Sequence, residues 1–259
     1  MINVSDLSRF LYCPRAVYLA DVLGVRVPES CEQGRGVVGH FVRRELAMRQ
    51  ARLISKVQSV GDFDVVLRLE LDAVVQELPH IFAGKWKPVY EAYLPGVRVE
   101  LSAELDILGD ELSAMVEGIG FDKALEYVTP WRTEYPVESK SLNLKGRVDK
   151  IMRTDSLVPV EIKTGKPSDY GWEGDRVQVC GYGMLLEERF SHPVDYGVIE
   201  YTRDQGKKPV LLTEKLRRQV LITRDQLIEV LDGAAPPVCP HGQPKKCESC
   251  GLQDRCYSI

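Results

Sequence analysis

No run of about 18 apolar residues occurs in the chain, so the sequence offers no membrane-spanning helix, and its N-terminus lacks the apolar core of a signal peptide. A cytoplasmic protein without a membrane partner is expected. An excess of positive charge is also missing: 34 Lys and Arg face 38 Asp and Glu, for a formal charge of −4. Nothing draws the whole molecule to nucleic acid, and any DNA binding must rest on a local basic surface. An even set of cysteines is missing too. Seven cysteines make an awkward disulfide framework, and clustered cysteines in a cytoplasmic chain point instead to a metal or redox centre. The final segment, GAAPPVCPHGQPKKCESCGLQDRCYSI, has little apolar material and no helical period, so something other than a hydrophobic core must order it.

What is present is 259 residues, 44% of them hydrophobic, enough for one large domain or one domain with an insertion. The most informative stretch runs from Leu144 to Tyr182. It reads as two strands, Leu144–Met152 and Leu157–Thr164, joined by the polar turn Arg153–Ser156. Strand side chains alternate in direction, so Val160 and Ile162 share a face that can enter a core, while Glu161 and Lys163 share the other and are expected to stay out of it. A short hairpin brings Asp149 across from Glu161. Two carboxylates and an ammonium then converge, a set suited to phosphodiester hydrolysis. Carboxylate oxygens bind Mg²⁺ or Mn²⁺, such a cation polarises phosphate and lowers the pKa of its water, and a lysine can orient that water. A helix is expected from about Trp172 to Glu188, with Gln178 and Tyr182 four apart on one face, able to hold DNA or a water.

The basic residues around this stretch are Lys140, Lys145, Arg147, Lys150 and Arg153, then Lys163 and Lys166, with Lys215, Arg217 and Arg218 further on. Arg147 and Lys166 are the candidates for direct DNA contact. Tyr170 and Trp172 could stack on unpaired bases or cover the core.

At these residues the sequence resembles the PD-(D/E)xK nucleases of the RecB type, and more closely the CRISPR-associated exonuclease of the fourth Cas family. The matching pieces are GRVD at 146–149, EIK at 161–163 and QVCGY at 178–182, which follows a Q-x-x-x-Y pattern. Upstream, G-H-F with Arg43 and Arg44 resembles the histidine motif of these nucleases, whose imidazole faces the metal from a helix preceding the sheet. The resemblance implies that His40, Asp149 and Glu161, with the carbonyl of Ile162, hold Mg²⁺ or Mn²⁺, and that Lys163 positions the attacking water. The chain departs from the pattern in two respects, one being the insertion at 56–131, which has no assignable counterpart and bears on polarity, partner and oligomeric state. The other is that the first acid follows valine, not the proline that names the superfamily.

In the tail, Cys247, Cys250 and Cys256 form C-x2-C-x5-C, and three thiolates need a fourth partner. On spacing alone, Cys239 or even His241 could complete a local zinc knuckle. Cys13 could complete the set from the other end of the chain; it precedes Pro14 at an expected helix N-cap, where the helix dipole favours a thiolate. The segment LYCPRAVYL resembles the one that supplies the first cluster cysteine in the CRISPR family. That family, and the AddB-type recombination nucleases, imply Cys13, Cys247, Cys250 and Cys256 around a [4Fe-4S] cluster of structural role that staples both chain ends together. Cys31 and Cys180 read as ordinary buried residues.

For the rest, helices are expected at Ser5–Tyr12, capped by Ser5, from Cys13 to about Leu23, and at Gln33–Ile54, where Val38, Val42, Leu46 and Leu53 form one stripe. Asp62–Gln76 and Pro88–Glu104 alternate like strands, and ELDILGDELSAMVEGIG reads as a hairpin turning at Gly109–Asp110, with Asp106 and Glu117 as structural acids. Pro136 and Val137 open the catalytic sheet, Val194–Tyr201 and Pro209–Leu212 are further strands, and Thr223–Leu231 is a helix capped by Thr223 or Asp225. The expected fold is α/β: a PD-(D/E)xK restriction-endonuclease-like core at 132–232, a helical N-terminal part at 1–55, a strand-rich insertion at 56–131, and an iron–sulfur tail at 233–259 packing back on the N-terminus. The implied activity is metal-dependent DNA exonuclease on single-stranded ends or overhangs, trimming prespacers beside the CRISPR spacer integrase; a homo-oligomer is left open. Alternatives are an AddB-like repair exonuclease outside CRISPR, a DNA-end-binding module that does not cut, and a zinc-stapled scaffold.

Overall fold

A computed structural model describes residues 1–26, 31–82, 84, 88–165, 167–169, 171–248 and 250–259, the side chains of 31–33, 88, 89 and 245 excepted. Lys166, Tyr170 and the side chain of Cys31 therefore lie outside the described residues.

A two-residue strand, β1 (Ile2–Asn3), leads into α1 (Val4–Tyr12), which buries Val4, Leu7 and Phe10 at three-residue spacing. Asn3, not Ser5, precedes its first turn. Cys13 is the N-cap of α2 (Pro14–Val17) with proline at the helix start, as the sequence indicates, and a π-helical turn continues over Tyr18–Val22. The expected long helix is two: α3 (Cys31–Met48) and α4 (Gln50–Lys56), broken at Arg49.

The segment expected to be strand-rich is helical. It forms α5 (Phe63–Ile81), α6 (Pro88–Glu91), α7 (Leu94–Ile119) and α8 (Phe121–Val128). In α5 the run V-L-R-L-E-L-D alternates, but Phe63, Leu67, Leu71, Val74 and Leu78 are buried and recur every three or four residues, while Leu69 between them is 63% exposed. In α7 the supposed turn Gly109–Asp110 is mid-helix, and Leu101, Leu105, Leu108, Leu112 and Val116 make one buried stripe. A Cβ on Gly109 would stand 3.2 Å from Leu67 Cδ1, so glycine serves close packing there rather than a turn. Helices α3 to α8 share one hydrophobic core, which places His40 with the segment 56–131 rather than with the N-terminal 30 residues.

The second half carries β2 (Arg132–Ser139), β3 (Leu144–Arg153), β4 (Leu157–Lys163), α9 (Glu173–Phe190), β5 (Tyr196–Tyr201), β6 (Gly206–Leu211) and α10 (Glu214–Leu231), followed by the short helices α11 (Pro244–Glu248) and α12 (Gln253–Ser258). Thr213 caps α10, its hydroxyl accepting the Leu216 N–H at 3.3 Å, so this helix starts a full nine residues before Thr223, which is itself buried. The six-stranded sheet runs β1-β3-β4-β5-β6, with β2 on the other edge of β3. Pairing is mixed: β4 lies antiparallel to β3 and parallel to β5. A second core joins the sheet to α1, α9 and α10.

The site is positioned by a break in this sheet. On one edge of β3, β1 pairs only at Leu144 and Lys145, and β4 only from Lys150 to Arg153. Between them the strand edge carries no ladder, and Asp149 stands at the mouth of the gap. No helix among the described residues is long and apolar enough to cross a membrane.

Candidate active site

Asp149 and Glu161 face one another across the gap, as the hairpin register requires. Asp149 Oδ2 accepts the Ile162 N–H at 2.8 Å, a side chain standing in for the missing ladder bond. Its Oδ1 accepts from Arg44 Nη2 at 2.9 Å. Glu161 and Lys163 share a face, but α9 covers that face, and Glu161 is only 7% exposed rather than outside the core. The reason is Gln178 on α9. Its Nε2 donates to Glu161 Oε1 at 2.7 Å while its Oε1 accepts from Lys163 Nζ at 2.7 Å, so both polar groups enter the interior satisfied. The same amide donates to the Tyr182 hydroxyl at 3.3 Å. Gly146 makes room for that tyrosine: a Cβ there would stand 2.6 Å from Tyr182 Cε1.

Lys163 is also 3.2 Å from Glu161 and 3.3 Å from Asp175, whose other oxygen accepts from the Tyr201 hydroxyl at 3.0 Å. Burial pulls the ammonium down, but Glu161 and Asp175 more than offset it, and Lys163 holds its proton more tightly than an ordinary lysine. Glu161 goes the other way for a carboxylic acid: burial, then the charge of Asp149, push it up to about 8 despite Lys163. His40 lies exposed on α3 with Nδ1 2.9 Å from the Thr164 hydroxyl, and partial desolvation followed by Arg44 lowers its proton affinity. A neutral imidazole is the form that can coordinate a metal.

This donor set fits a hard divalent cation. Two carboxylates of opposed strands repel one another in a desolvated site, and a cation between them would relieve that repulsion. Yet the ligand atoms are not gathered tightly. Among the described residues, the group whose ligand atoms all lie within 4.8 Å of one another is Cys239, His241 and Cys247, not His40, Asp149 and Glu161.

Two open clefts meet at the site. One, of about 810 Å³, is lined by Arg44, Lys145, Arg147, Arg189, Asp149 and Glu161 among others; the second, of about 570 Å³, runs between α1 and the tail past Arg9, Tyr12 and Leu252. Glu161 and Gln178 line both. Arg147 is exposed at the first mouth, and Gln178 and Tyr182 are buried beneath it. Two of the expected surface cations are elsewhere. Lys150 is 4% exposed on the opposite face, donating to Glu200 at 2.8 Å, and Arg217 is bound to Glu187 and to the Val194 carbonyl.

A third cavity gathers the cysteines. Cys13, Cys247, Cys250 and Cys256 line it together with Cys239 and His241. Cys13 caps α2 without a side-chain hydrogen bond, and burial pushes its thiol up rather than down. Arg15 clips the ends together, donating to the carbonyls of Pro236 at 2.7 Å and Ile259 at 3.1 Å. Four thiols from both chain ends around one cavity fit an iron–sulfur cluster, as donor chemistry.

Residues 1–258 match the family model of the CRISPR-associated exonuclease Csa1. The chain belongs to the Csa1 family. Among relatives, the CRISPR-associated exonuclease Cas4 of Aeropyrum pernix is 30% identical over 173 residues, 64% of this chain and 82% of the relative. A Cas4 exonuclease/Cas1 endonuclease fusion from Leptospira interrogans is 30% identical over 125 residues, 46% of this chain and 23% of the fusion, so the chain spans less than a quarter of that relative. The DNA replication ATP-dependent helicase/nuclease DNA2 of Saccharomyces cerevisiae is 26% identical over 145 residues, 9% of its length.

This Csa1-family site includes residues that sequence reasoning passed over. Glu134 on β2 takes up a positive φ of 49° opposite Asp149 and is paired with both Arg44 and Arg147. Asp175, two residues into α9, anchors Lys163. The spacing of Asp175 and Gln178, three apart on one helix face, carried the signal for Asp175; nothing in the sequence marked Glu134.

Proposed function

We propose that this protein is a divalent-metal-dependent DNA exonuclease with a PD-(D/E)xK core, which shortens single-stranded ends or overhangs and so trims prespacers for the CRISPR spacer integrase. The observation that carries the reading is the unit Glu161–Gln178–Lys163, locked beneath the point where two clefts meet. A single strand could lie through both clefts with its scissile phosphate over Glu161.

His40, Asp149, Glu161 and the Ile162 carbonyl would hold Mg²⁺ or Mn²⁺. When bound, such a cation polarises the phosphate and supplies a hydroxide nucleophile near neutral pH. Lys163, kept protonated by Glu161 and Asp175, orients that nucleophile and steadies charge developing on the phosphate. Gln178 keeps Glu161 and Lys163 in register. Arg44 neutralises Asp149 until a cation takes that role, and Glu134 offers Arg44 a second carboxylate to rest on. Arg147 at the mouth, with Lys145 and Arg189 beside it, attracts the DNA backbone in a molecule that is otherwise acidic. Cys13, Cys247, Cys250 and Cys256 would hold a [4Fe-4S] cluster that ties the tail to α1 and α2 and so forms one wall of the second cleft.

The Cas4/Cas1 fusion supports a partnership with the integrase, since in that relative both names belong to one chain. The test is degradation of DNA labelled at either end, single-stranded or with overhangs, in Mn²⁺, Mg²⁺ or chelator. Metal-dependent shortening from an end is expected. Endonucleolytic products, or turnover in chelator, would overturn the reading.

A further inference from the structure

The cavity of the tail holds more ligands than a four-thiolate cluster uses, and the following rests on the iron–sulfur reading above. Cys239, His241 and Cys247 have ligand atoms within 4.8 Å of one another, a spacing at which a single metal ion could sit. The second nitrogen of His241 argues against ligation. Nδ1 accepts the Gln243 N–H at 3.0 Å, so a neutral ring carries its proton on Nε2 and has no lone pair there for a metal. A ligating histidine does the reverse, donating its outer N–H to a carbonyl or carboxylate.

The Nε2 atom instead faces Cys247 Sγ at 4.0 Å, within reach of sulfur as an acceptor. A tight turn holds it there. The Gly242 N–H bonds the Cys239 carbonyl at 3.1 Å, with Cys239 at a φ of 51° and Gly242 at 60°. Cys247 is thus a thiol with an imidazole N–H trained on it by the turn at 239–242.

We infer that His241 is a positioning residue for the cluster, which donates its Nε2–H to the Cys247 sulfur and raises the reduction potential of the centre. Reduction puts more negative charge on the sulfurs, so a donor stabilises the reduced state more than the oxidised one, and hydrogen bonds to sulfur are one of the terms that set cluster potentials.

The test uses the full chain, purified anaerobically with its cluster, and reads the midpoint potential by a titration followed by electron paramagnetic resonance. His241→Ala should move the midpoint to a more negative value with iron content unchanged. His241→Gln, whose amide carries an N–H at the same point along the side chain, should recover much of the shift. If His241→Ala fails to hold a cluster, His241→Phe replaces it, keeping the bulk of the ring without the donor. A midpoint that moves in none of these variants overturns the inference alone. Nitrogen hyperfine coupling from a bound imidazole, present in the wild type and absent without His241, overturns it in favour of ligation. Zinc in place of iron in the wild type overturns both this inference and the cluster reading, without touching the nuclease site.

Discussion

Gln178 holds Glu161 in place: its Nε2 donates to Glu161 Oε1 at 2.7 Å, from the middle of a helix that closes over the sheet. Because the other end of the same amide accepts from Lys163, the side chain reads both signs of charge at once. Neither a carboxylate nor an apolar residue can do that.

Gln178→Leu should therefore lower the rate of DNA degradation by about 10–100-fold, the usual cost of losing a partner that orients metal-binding groups. The rate is measured on labelled single-stranded DNA and the fold by circular dichroism. An unchanged rate would show that Glu161 and Lys163 find their geometry unaided.

Gly146→Ala tests the packing beneath the site. The new methyl would stand 2.6 Å from the buried ring of Tyr182, which must move and carry Gln178 with it. A loss of about 1–3 kcal/mol in a urea melt is expected, together with reduced activity. Tyr182→Phe removes only the 3.3 Å contact to Gln178 and should cost less on both measures.

The Glu161 carboxyl makes stability depend on pH. Burial and Asp149 raise it from 4.5 to about 8, so between those values the folded chain keeps a proton that the unfolded chain has released. Stability should fall as pH rises through that window. Glu161→Gln abolishes the titration, and in chelator its melting temperature should exceed that of the wild type at about pH 9 but not at about pH 5. A divalent cation must displace the same proton, so calorimetry should show its affinity rising with pH over this range. A variant no more stable than wild type at high pH would contradict the assigned burial of Glu161.

Cys13→Ala separates the tail from the front of the molecule. Arg15 still binds the Pro236 and Ile259 carbonyls, but only three of the four thiols assigned to the cluster remain. Loss of bound iron and rapid proteolysis after about residue 233 are expected, while the sheet core survives. Cleavage no faster than in wild type would mean that Arg15 and the local helices suffice to hold the tail.

The hairpin of the candidate site was legible because its chemistry and its period agree. Asp149, Glu161 and Lys163 are polar residues set among Val148, Val160 and Ile162, and alternation alone brings them together. The helices of 63–119 were not, because α5 alternates over seven residues and only its full length reveals the buried set Phe63, Leu67, Leu71, Val74 and Leu78. Gly109–Asp110 has the composition of a turn, and its real cause, contact with Leu67, lies 42 residues away in the chain. Alternation alone sets Glu161 outside the core, because a strand pattern does not show what packs on its polar face. Gln178 was visible as a motif but not as the bridge that lets that face be buried. The start of α10 was hidden by Lys215, Arg217 and Arg218, which stand out in the sequence only as basic residues, although Thr213 is its cap and Arg217 is bound to Glu187.

The most direct test of the account is single-turnover cleavage of end-labelled single-stranded DNA in Mn²⁺ by anaerobically purified wild type and Lys163→Met. This substitution keeps most of the apolar stem of the side chain and removes the ammonium, with its contacts to Gln178, Glu161 and Asp175. The account expects shortening from an end by the wild type and its near abolition in the variant, with DNA binding retained. Equal cleavage by both proteins would mean that the chemistry lies elsewhere than at Glu161, Gln178 and Lys163.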